Sequence, residues 1–253
     1  MVSKRIIPVL LLEDNYLVKT KQFKNPVYLG DPINAVKIYN EKEVDEIIII
    51  DIKATSEKRG INFDLISEIA SECFMPLAYG GGITAIEDIK KLFFIGVEKV
   101  CINNKALNDF NLIAEAAAVF GNQSIVLGVD IKYNLFGKAI VYDHVKKSTL
   151  SKDPIEYINL ARAAGAGEIF VNFVDKDGVM QGYDVPYLKK ITDNTKLPII
   201  ACGGAGSLDD IKKIFDETNV SAAAAGSFFV FQGKHRAVLI TYPDPKDIKK
   251  ILE

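Results

Sequence analysis

Eight short apolar segments recur along the 253-residue chain, and amphipathic segments such as 31–44 and 85–96 separate them. Most of the apolar segments show no alternation with polar residues, which is typical of parallel strands buried on both faces. Strands alternating with helices about eight times in 250 residues favour a barrel. We predict strands at 5–11, 46–52, 76–81, 99–103, 124–130, 168–174, 198–204 and 221–227.

An internal repeat strengthens this prediction. Residues 76–93 align with 198–215 at an offset of 122, and eight of the eighteen positions are identical. A repeat of half the chain indicates two half-barrels of four strand–helix units each. We therefore predict an α/β fold, a single (β/α)8 TIM barrel with a half-barrel internal repeat, forming one domain over residues 1–253. A doubly wound open sheet is the alternative, but it needs no repeat.

Composition argues against several classes of protein, namely nucleic-acid-binding, membrane-spanning and His/Cys metal-binding proteins. The net charge of −2 gives no general attraction for nucleic acid, and no apolar run approaches the roughly 18 residues of a membrane helix. Three dispersed cysteines suggest reduced thiols, and two distant histidines make a His/Cys metal site unexpected. We expect a cytoplasmic protein with no signal peptide, no metal and no cofactor.

Loops suited to binding phosphate follow four of the predicted strands, with the sequences GGG, NN, GGAG and GS. Residues 80–82 and 203–206 follow strands three and seven, and residues 103–104 and 226–227 follow strands four and eight. Backbone N–H groups of such loops, together with helix N-termini, bind phosphate. Two pairs related by the repeat predict two phosphate sites across the barrel mouth, suited to a ligand with a phosphate at each end. Tight turns that bind nothing are the alternative.

Charged side chains stand at both ends of the predicted strands. Asp51 and Asp130 end strands, and Asp177 lies in a glycine-bearing loop long enough to act as a mobile lid. Such carboxylates can transfer protons in the mouth or can cap helices. At the opposite ends, the strands begin with charges that are either solvated or joined in a ring at the barrel floor. These four residues are Arg5, Glu46, Lys99 and Glu168.

The segments KRII, DEIIIIDI, GGGI, GVEKV, GAGEI, DKDG, GYD, LPIIA and GGAG lie in order along residues 1 to about 231. Together they resemble the cyclase subunit of imidazole glycerol phosphate synthase. The resemblance implies a (β/α)8 barrel with a glutaminase partner at its N-terminal face, whose ammonia crosses the barrel and reacts with a bisphosphate substrate at the C-terminal face. It implies an ammonia gate formed by Arg5, Glu46, Lys99 and Glu168. It implies phosphate or ligand contacts by Gly82, Asn103 and Asn104, by Asp177, Gly178, Gly204, Gly226 and Ser227, and by Lys19. Asp51 is a further ligand-contacting candidate because it ends a predicted strand.

One position departs from that family. The cyclase uses an aspartate at the end of strand one and another at the end of strand five. Asp130 matches the second, but the first position holds Leu11, which has no titratable proton. Loss of a positioned acid or base typically costs about 10²–10⁴ in rate. Glu13, which we expect in the following loop, and Asp14 are not obvious substitutes.

A second resemblance fits this departure. RIIPVLLL, LVKT, GDPINAVKIYNEKEVDE, ASECFMPLAYGGGI and GSFFVFQGKHRAVLITYP look like a paralogous branch of the cyclase family. That branch accompanies a glutaminase and a sugar amidotransferase in the acetamidino modification of nucleotide-linked sugars for lipopolysaccharide and related glycans. The first hypothesis is therefore an ammonia-channelling subunit for sugar amidation. The alternatives are a histidine-pathway cyclase in which another group replaces the missing acid, and a docking scaffold without catalysis.

Overall fold

The computed structural model describes residues 4–233 and 235–252, and its core is a closed barrel of eight parallel strands. The barrel strands are β1 (Arg5–Glu13), β4 (Ile47–Asp51), β5 (Leu77–Gly80), β6 (Lys99–Ile102), β7 (Ile125–Tyr133), β10 (Glu168–Phe173), β11 (Ile199–Cys202) and β12 (Ala222–Ala225). Each pairs with its neighbours in parallel, and β12 closes the ring on β1 through Arg5–Ala222 and the following residues. All eight predicted strands and the barrel are confirmed.

Helices surround the barrel. They are α1 (Pro32–Glu41), α2 (Phe63–Ser71), α3 (Ile86–Phe94), α4 (Asn111–Phe120), α5 (Pro154–Ala164), α6 (Val185–Asn194), α7 (Leu208–Glu217), α8 (Ser227–Val230) and α9 (Pro245–Leu252). Short 3₁₀ helices cover Asn104–Leu107 and Asn122–Ser124. Side-chain caps fix several helix starts. For example, Asp31 accepts a hydrogen bond from the backbone N–H of Asn34, and Pro32 follows it in the first turn.

Three hairpins extend beyond the predicted strands. β2 (Tyr16–Lys21) and β3 (Lys24–Gly30) follow β1, while β8 (Ala139–Asp143) and β9 (Ser148–Thr149) follow β7. β13 (Phe231–Gln232) and β14 (Ala237–Val238) follow α8. The first two hairpins grow from the C-terminal ends of β1 and β7 by antiparallel pairing, so they stand over the mouth of the barrel.

The chain after β14 fills the gap between α7 and α1. α9 packs against α7, and the Tyr242 hydroxyl donates a 2.9 Å hydrogen bond to the Ile6 carbonyl. The Tyr242 ring lies 6.5 Å from the Tyr39 ring of α1 and 5.2 Å from the Phe229 ring of α8. Because α8 has only four residues, α9 supplies the outer cover that a longer eighth helix would give.

The apolar core has two parts separated by the strand wall. Most of it lies between the barrel and the helices. A smaller cluster fills the barrel interior, where inward residues alternate along each strand. That cluster comprises Ile7, Val9, Ile48, Ala78, Cys101, Val126, Phe170, Ile200, Cys202, Ala222 and Ala224, with Leu11 and Ile50 packed against it.

Candidate active site

A cavity of about 830 Å³ opens at the C-terminal ends of the barrel strands. Side chains or loops of all eight strands line it, and the β2–β3 and β7–β8 hairpins form part of its wall. Every mouth residue singled out from the sequence lines this cavity. These residues are Leu11, Lys19, Asp51, Gly82, Asn103, Asn104, Asp130, Asp177, Gly178, Gly204, Gly226 and Ser227.

The opposite end of the barrel is closed by a ring of four charges. Lys99 Nζ lies 3.0 Å from carboxylate oxygens of both Glu46 and Glu168. The Arg5 guanidinium also donates to both carboxylates, one from each terminal nitrogen. Burial lowers the pKa of Arg5, but attraction to Glu168 and Glu46 more than offsets this, so its net pKa is raised. All four predicted floor residues therefore meet in one closed ring.

Between this floor and the mouth, the barrel interior is packed with apolar side chains. Its small side chains include Ala78, Ala222 and Ala224, and all three are buried. Burial raises the pKa of the Cys101 and Cys202 thiols to about 12, so both are neutral. Within the described interior cluster, no side chain carries a charge between the ring and the carboxylate of Asp130.

Asp130 is buried on the β7 wall of the cavity and has two side-chain neighbours. Its Oδ2 accepts a 2.9 Å hydrogen bond from Asn103 Nδ2 and lies 3.3 Å from His144 Nδ1. Burial lowers the pKa of His144, but its hydrogen bond and charge interaction with Asp130, helped by Asp143, raise it more. The net pKa of His144 is therefore raised, which favours an imidazolium–carboxylate pair.

Leu11 lies on the opposite side of the mouth from β7. It lies beside Ile50 of β4 at the top of the apolar interior, so a leucine stands on β1 where the resembled cyclase has an acid. Glu13, two residues further along β1, also lines the cavity. The expectation that Glu13 sits in a loop is wrong. Antiparallel pairing with Tyr16 of β2 extends β1 through Glu13, whose carboxylate lies 3.2 Å from Lys53 Nζ.

The glycine loops approach other backbone segments too closely for larger residues. A Cβ on Gly204, whose φ is +114°, would lie 2.2 Å from the Gly182 carbonyl oxygen. A Cβ on Gly178, whose φ is +68°, would lie 2.4 Å from the Thr20 carbonyl oxygen. Both glycines are therefore required by the backbone packing of the mouth, whatever ligand it holds.

The two predicted phosphate sites differ in whether their polar groups already have hydrogen-bond partners within the protein. In the first half, the Gly82 N–H donates to Thr55 Oγ1 at 3.1 Å, and Asn104 Nδ2 lies 3.4 Å from Asp143 Oδ1. In the second half, Ser227 begins α8, and its buried Oγ has no hydrogen-bond partner among the described residues. Buried hydroxyls are normally paired, so Ser227 is a candidate contact for a ligand oxygen.

A clasp closes the β2–β3 hairpin over the mouth. Lys19 Nζ lies 2.6 Å from Asp177 Oδ1, and Thr20 Oγ1 donates to Asp177 Oδ2 at 2.9 Å. The Gln22 N–H donates to the Asp177 carbonyl at 2.9 Å. The Lys19 chain also passes over Gly226, where a Cβ would lie 3.0 Å from Lys19 Cε. The loop around Asp177 is thus docked to the hairpin in this structure.

The carboxylate of Asp51 is hydrogen-bonded to residues of the loop that follows it. Its Oδ1 accepts hydrogen bonds from the backbone N–H groups of Lys53 and Ala54 and lies 2.9 Å from Arg59 Nη2. Burial raises the pKa of Asp51 despite these contacts. The carboxylate therefore holds the loop after β4 in place at the cavity edge.

Sequence reasoning missed two contributors to the site. His144 received no role because it stands alone in sequence, and Arg59 was not connected with Asp51. The β7–β8 hairpin carries His144 back over Asp130, which lies fourteen positions earlier in the chain. The segment NLFGK at 134–138 between apolar residues is the one sequence signal that indicated this hairpin.

Comparison with known proteins agrees with this geometry. The family model described as histidine biosynthesis protein matches residues 5–236 of the chain. The chain belongs to this family. That confirms the cyclase resemblance at family level.

Its relatives carry the name of one subunit. A Pseudomonas aeruginosa protein named "Putative imidazole glycerol phosphate synthase subunit hisF2" is 51% identical over 244 residues, covering 96% of this chain and 97% of the relative. A Vibrio vulnificus protein named "Putative imidazole glycerol phosphate synthase subunit hisF3" is 45% identical, and the match covers 100% of this chain and 98% of the relative. The Streptococcus sanguinis imidazole glycerol phosphate synthase subunit HisF is 38% identical, and the match covers 90% of this chain and 91% of the relative.

Residues 4–233 and 235–252 contain neither a cluster of potential metal ligands nor a helix suited to crossing a membrane. No group of three or more His, Cys, Asp or Glu side chains has an arrangement that could hold a metal ion. None of the helices in these ranges has both the length and the apolar character needed to cross a membrane.

Proposed function

We propose that this barrel receives ammonia from a glutaminase bound at its N-terminal face and delivers it through the barrel interior to the mouth. The observation that carries the proposal is the closed ring of Arg5, Glu46, Lys99 and Glu168 beneath an apolar interior. The names of the relatives, which are subunits of a synthase, support an assembly of more than one chain.

The chemistry of ammonia fits this interior. A neutral molecule enters an apolar passage at modest cost, whereas an ammonium ion loses its hydration without a compensating partner. The ring places charged hydrogen-bonding groups at the entrance, and the uncharged interior then carries only the neutral form. The passage thus favours NH₃ over NH₄⁺ from floor to mouth.

We propose that the delivered ammonia is used to amidate a nucleotide-linked sugar in surface-glycan synthesis, with a sugar amidotransferase as a further partner. Leu11 is the observation that favours this use over ring closure by the barrel itself, because it has no titratable proton at the position where the resembled cyclase has an aspartate. The glycine loops and Ser227 would then bind a phosphorylated small molecule at the mouth.

A histidine-pathway cyclase is the second candidate. The retained carboxylate of Asp130, with His144 beside it, favours this candidate because the mouth keeps an acid–base pair. In a scaffold without catalysis, the charge ring at the floor would have no role beyond stability, whereas the apolar interior would serve as core packing in any such barrel.

Binding and hydrolysis measurements with the cognate glutaminase test the delivery proposal. We expect a complex at micromolar concentration and faster glutamine hydrolysis when the barrel is present. The matched pair Glu168→Gln, in the ring, and Glu115→Gln, on the exposed side of α4, controls for general effects of removing a carboxylate. Absence of any complex at micromolar concentration would remove the source of ammonia and with it the proposal.

A further inference from the structure

The β7–β8 hairpin ends in a turn whose apolar side chains take no part in the fold. Leu135 and Phe136 are 102% and 93% exposed, which makes them the most exposed large apolar side chains among the described residues. Their neighbours build the turn, since Asn134 Oδ1 accepts hydrogen bonds from the backbone N–H groups of Phe136 and Lys138, each at 2.9 Å, and Gly137 adopts a φ of +72°. The hairpin therefore presents an ordered apolar tip to its surroundings.

The segment that carries this tip is strongly cationic. Residues 131–152 contain five lysines and one aspartate, whereas the whole chain has a net charge of −2. The aspartate, Asp143, is 2% exposed, and its Oδ1 accepts two backbone hydrogen bonds. Lys146 Nζ lies 3.8 Å from Asp143 Oδ2, but the Lys146 side chain is 68% exposed. Lys138 and Lys147 are also exposed, so lysine charge dominates the outer surface of this hairpin.

An apolar tip flanked by lysines fits a lipid surface better than a protein partner. Stable protein interfaces bury about 1,000 Å² or more, and lysine is depleted at their cores. Here only two apolar side chains project, and lysines adjoin them. At a membrane, aliphatic and aromatic side chains enter the boundary between headgroups and acyl chains, while lysine ammonium groups contact the lipid phosphates. The hairpin combines these two kinds of contact.

We propose that the β7–β8 hairpin attaches the barrel to a membrane surface that contains anionic lipid. Leu135 and Phe136 enter the interface, and the lysines of the hairpin face the headgroups. This attachment is peripheral and reversible, so it needs no membrane-spanning helix. It also goes beyond ammonia delivery and does not depend on it. Because the hairpin grows from the C-terminal end of β7, attachment turns the mouth toward the membrane and leaves the floor ring accessible to a glutaminase.

Co-sedimentation of the full chain with lipid vesicles tests the role of the apolar tip. We expect binding to phosphatidylcholine vesicles that contain about 30 mol% phosphatidylglycerol, and little binding to phosphatidylcholine alone. The double variant Leu135→Ser, Phe136→Ser should lower the partition coefficient about tenfold or more, because two apolar side chains no longer leave water. Phe94→Ser is the matched control, since Phe94 is 90% exposed at the end of α3 on the floor side of the barrel. Unchanged unfolding temperatures would verify that these surface variants fold.

The lysines are tested in the same assay. Each lysine near an anionic surface strengthens binding about fivefold, so Lys138→Gln with Lys146→Gln should weaken it about 25-fold. The control pair Lys189→Gln with Lys212→Gln removes the same charge from α6 and α7 and should stay within about threefold of the parent. Raising sodium chloride from about 0.05 to 0.5 M should weaken binding of the parent, because salt screens the headgroup charge.

Insertion of the tip is observed directly by fluorescence. The chain contains no tryptophan, so Phe136→Trp provides a single reporter. With anionic vesicles its emission should shift to shorter wavelength and be quenched by brominated acyl chains, whereas Phe94→Trp should show neither effect.

Two results would overturn the proposal, namely no binding of the parent at about 1 mM anionic lipid, or unchanged binding of the double serine variant. If vesicles do not bind but the double serine variant loses binding to the sugar amidotransferase, the hairpin belongs to a protein interface and the proposal is again wrong. Glutaminase binding measures ammonia delivery separately, so these outcomes leave that proposal untouched.

Discussion

Lys99 Nζ lies 3.0 Å from both carboxylate oxygens of Glu46, and this contact joins the starts of two strands that are not neighbours in the barrel. Each cation of the floor ring contacts both carboxylates, so loss of one carboxylate leaves two cations sharing the other. We expect Glu46→Gln to lower the free energy of unfolding by about 3 kcal/mol, at the low end for a broken buried pair because Arg5 and Lys99 are partly exposed.

Urea unfolding of Glu46→Gln and of the exposed control Glu115→Gln measures this effect. The control should change stability by less than about 0.5 kcal/mol. Equal effects of the two variants would show that the ring contributes nothing specific to the barrel floor.

The clasp between Lys19 and Asp177 gives a second prediction. Their side chains are 6% and 8% exposed, so the pair is buried, whereas Lys189–Asp193 on α6 is an exposed pair. Asp177→Asn should free the β2–β3 hairpin, and limited proteolysis within residues 14–30 should accelerate about tenfold or more, as expected when a buried pair is broken. Asp193→Asn should leave the cleavage rate unchanged. Unchanged cleavage in both variants would contradict a role of Asp177 in closing the hairpin.

Two serines flanking β12 give a matched pair for the ligand site. Ser221 Oγ donates to the Ile199 carbonyl at 3.0 Å, whereas Ser227 Oγ is buried without a partner among the described residues. Ser221→Ala should cost about 1 kcal/mol of stability and leave ligand affinity unchanged. Ser227→Ala should cost no stability but weaken binding of the cyclase's bisphosphate substrate about tenfold by calorimetry, because only the Ser227 hydroxyl lacks a partner and can bind a ligand oxygen. The reverse pattern would remove Ser227 from the binding site.

The pair of His144 and Asp130 makes stability depend on pH. The folded pKa of His144 is raised, so its contribution is fully present below the unfolded value of about 6.5 and is lost as pH rises through the folded pKa. The difference in unfolding free energy between the parent and His144→Gln should therefore shrink from pH 6 to pH 9. His235→Gln, at an exposed position, controls for the loss of an imidazole. A difference that grows with pH would contradict the imidazolium assignment.

The barrel was predictable from sequence because its signals are local and repeated. Buried strands such as 124–130 read as continuous apolar runs, and the aligned halves 76–93 and 198–215 fix their number and order. The predicted strand starts placed Arg5, Glu46, Lys99 and Glu168 at the floor, and the structure brings the four side chains into contact. The mouth was harder to predict, since its contacts form between loops far apart in sequence.

His144 shows why the contacts between the loops of the mouth could not be predicted from the sequence. Its proximity to Asp130 depends on the length and twist of the β7–β8 hairpin, neither of which a pattern of residue types specifies. Likewise, the sequence placed Lys19 and Asp177 in the mouth but did not indicate that they pair with each other across 158 positions. The continuation of β1 through Glu13 depends on pairing with β2, which a search for apolar runs does not detect.

The most direct test of ammonia delivery follows nitrogen through the barrel. The barrel, its glutaminase and the sugar amidotransferase are combined with the nucleotide-linked sugar, glutamine labelled with ¹⁵N in its side-chain amide, and excess unlabelled ammonium. Delivery through the interior predicts that ¹⁵N dominates in the amidated sugar. Ala224→Phe, which fills the interior beside Cys202, should abolish that preference while the complex still forms. If the amidated sugar made with the unaltered barrel has the isotope composition of the bulk ammonium, delivery through the interior is contradicted.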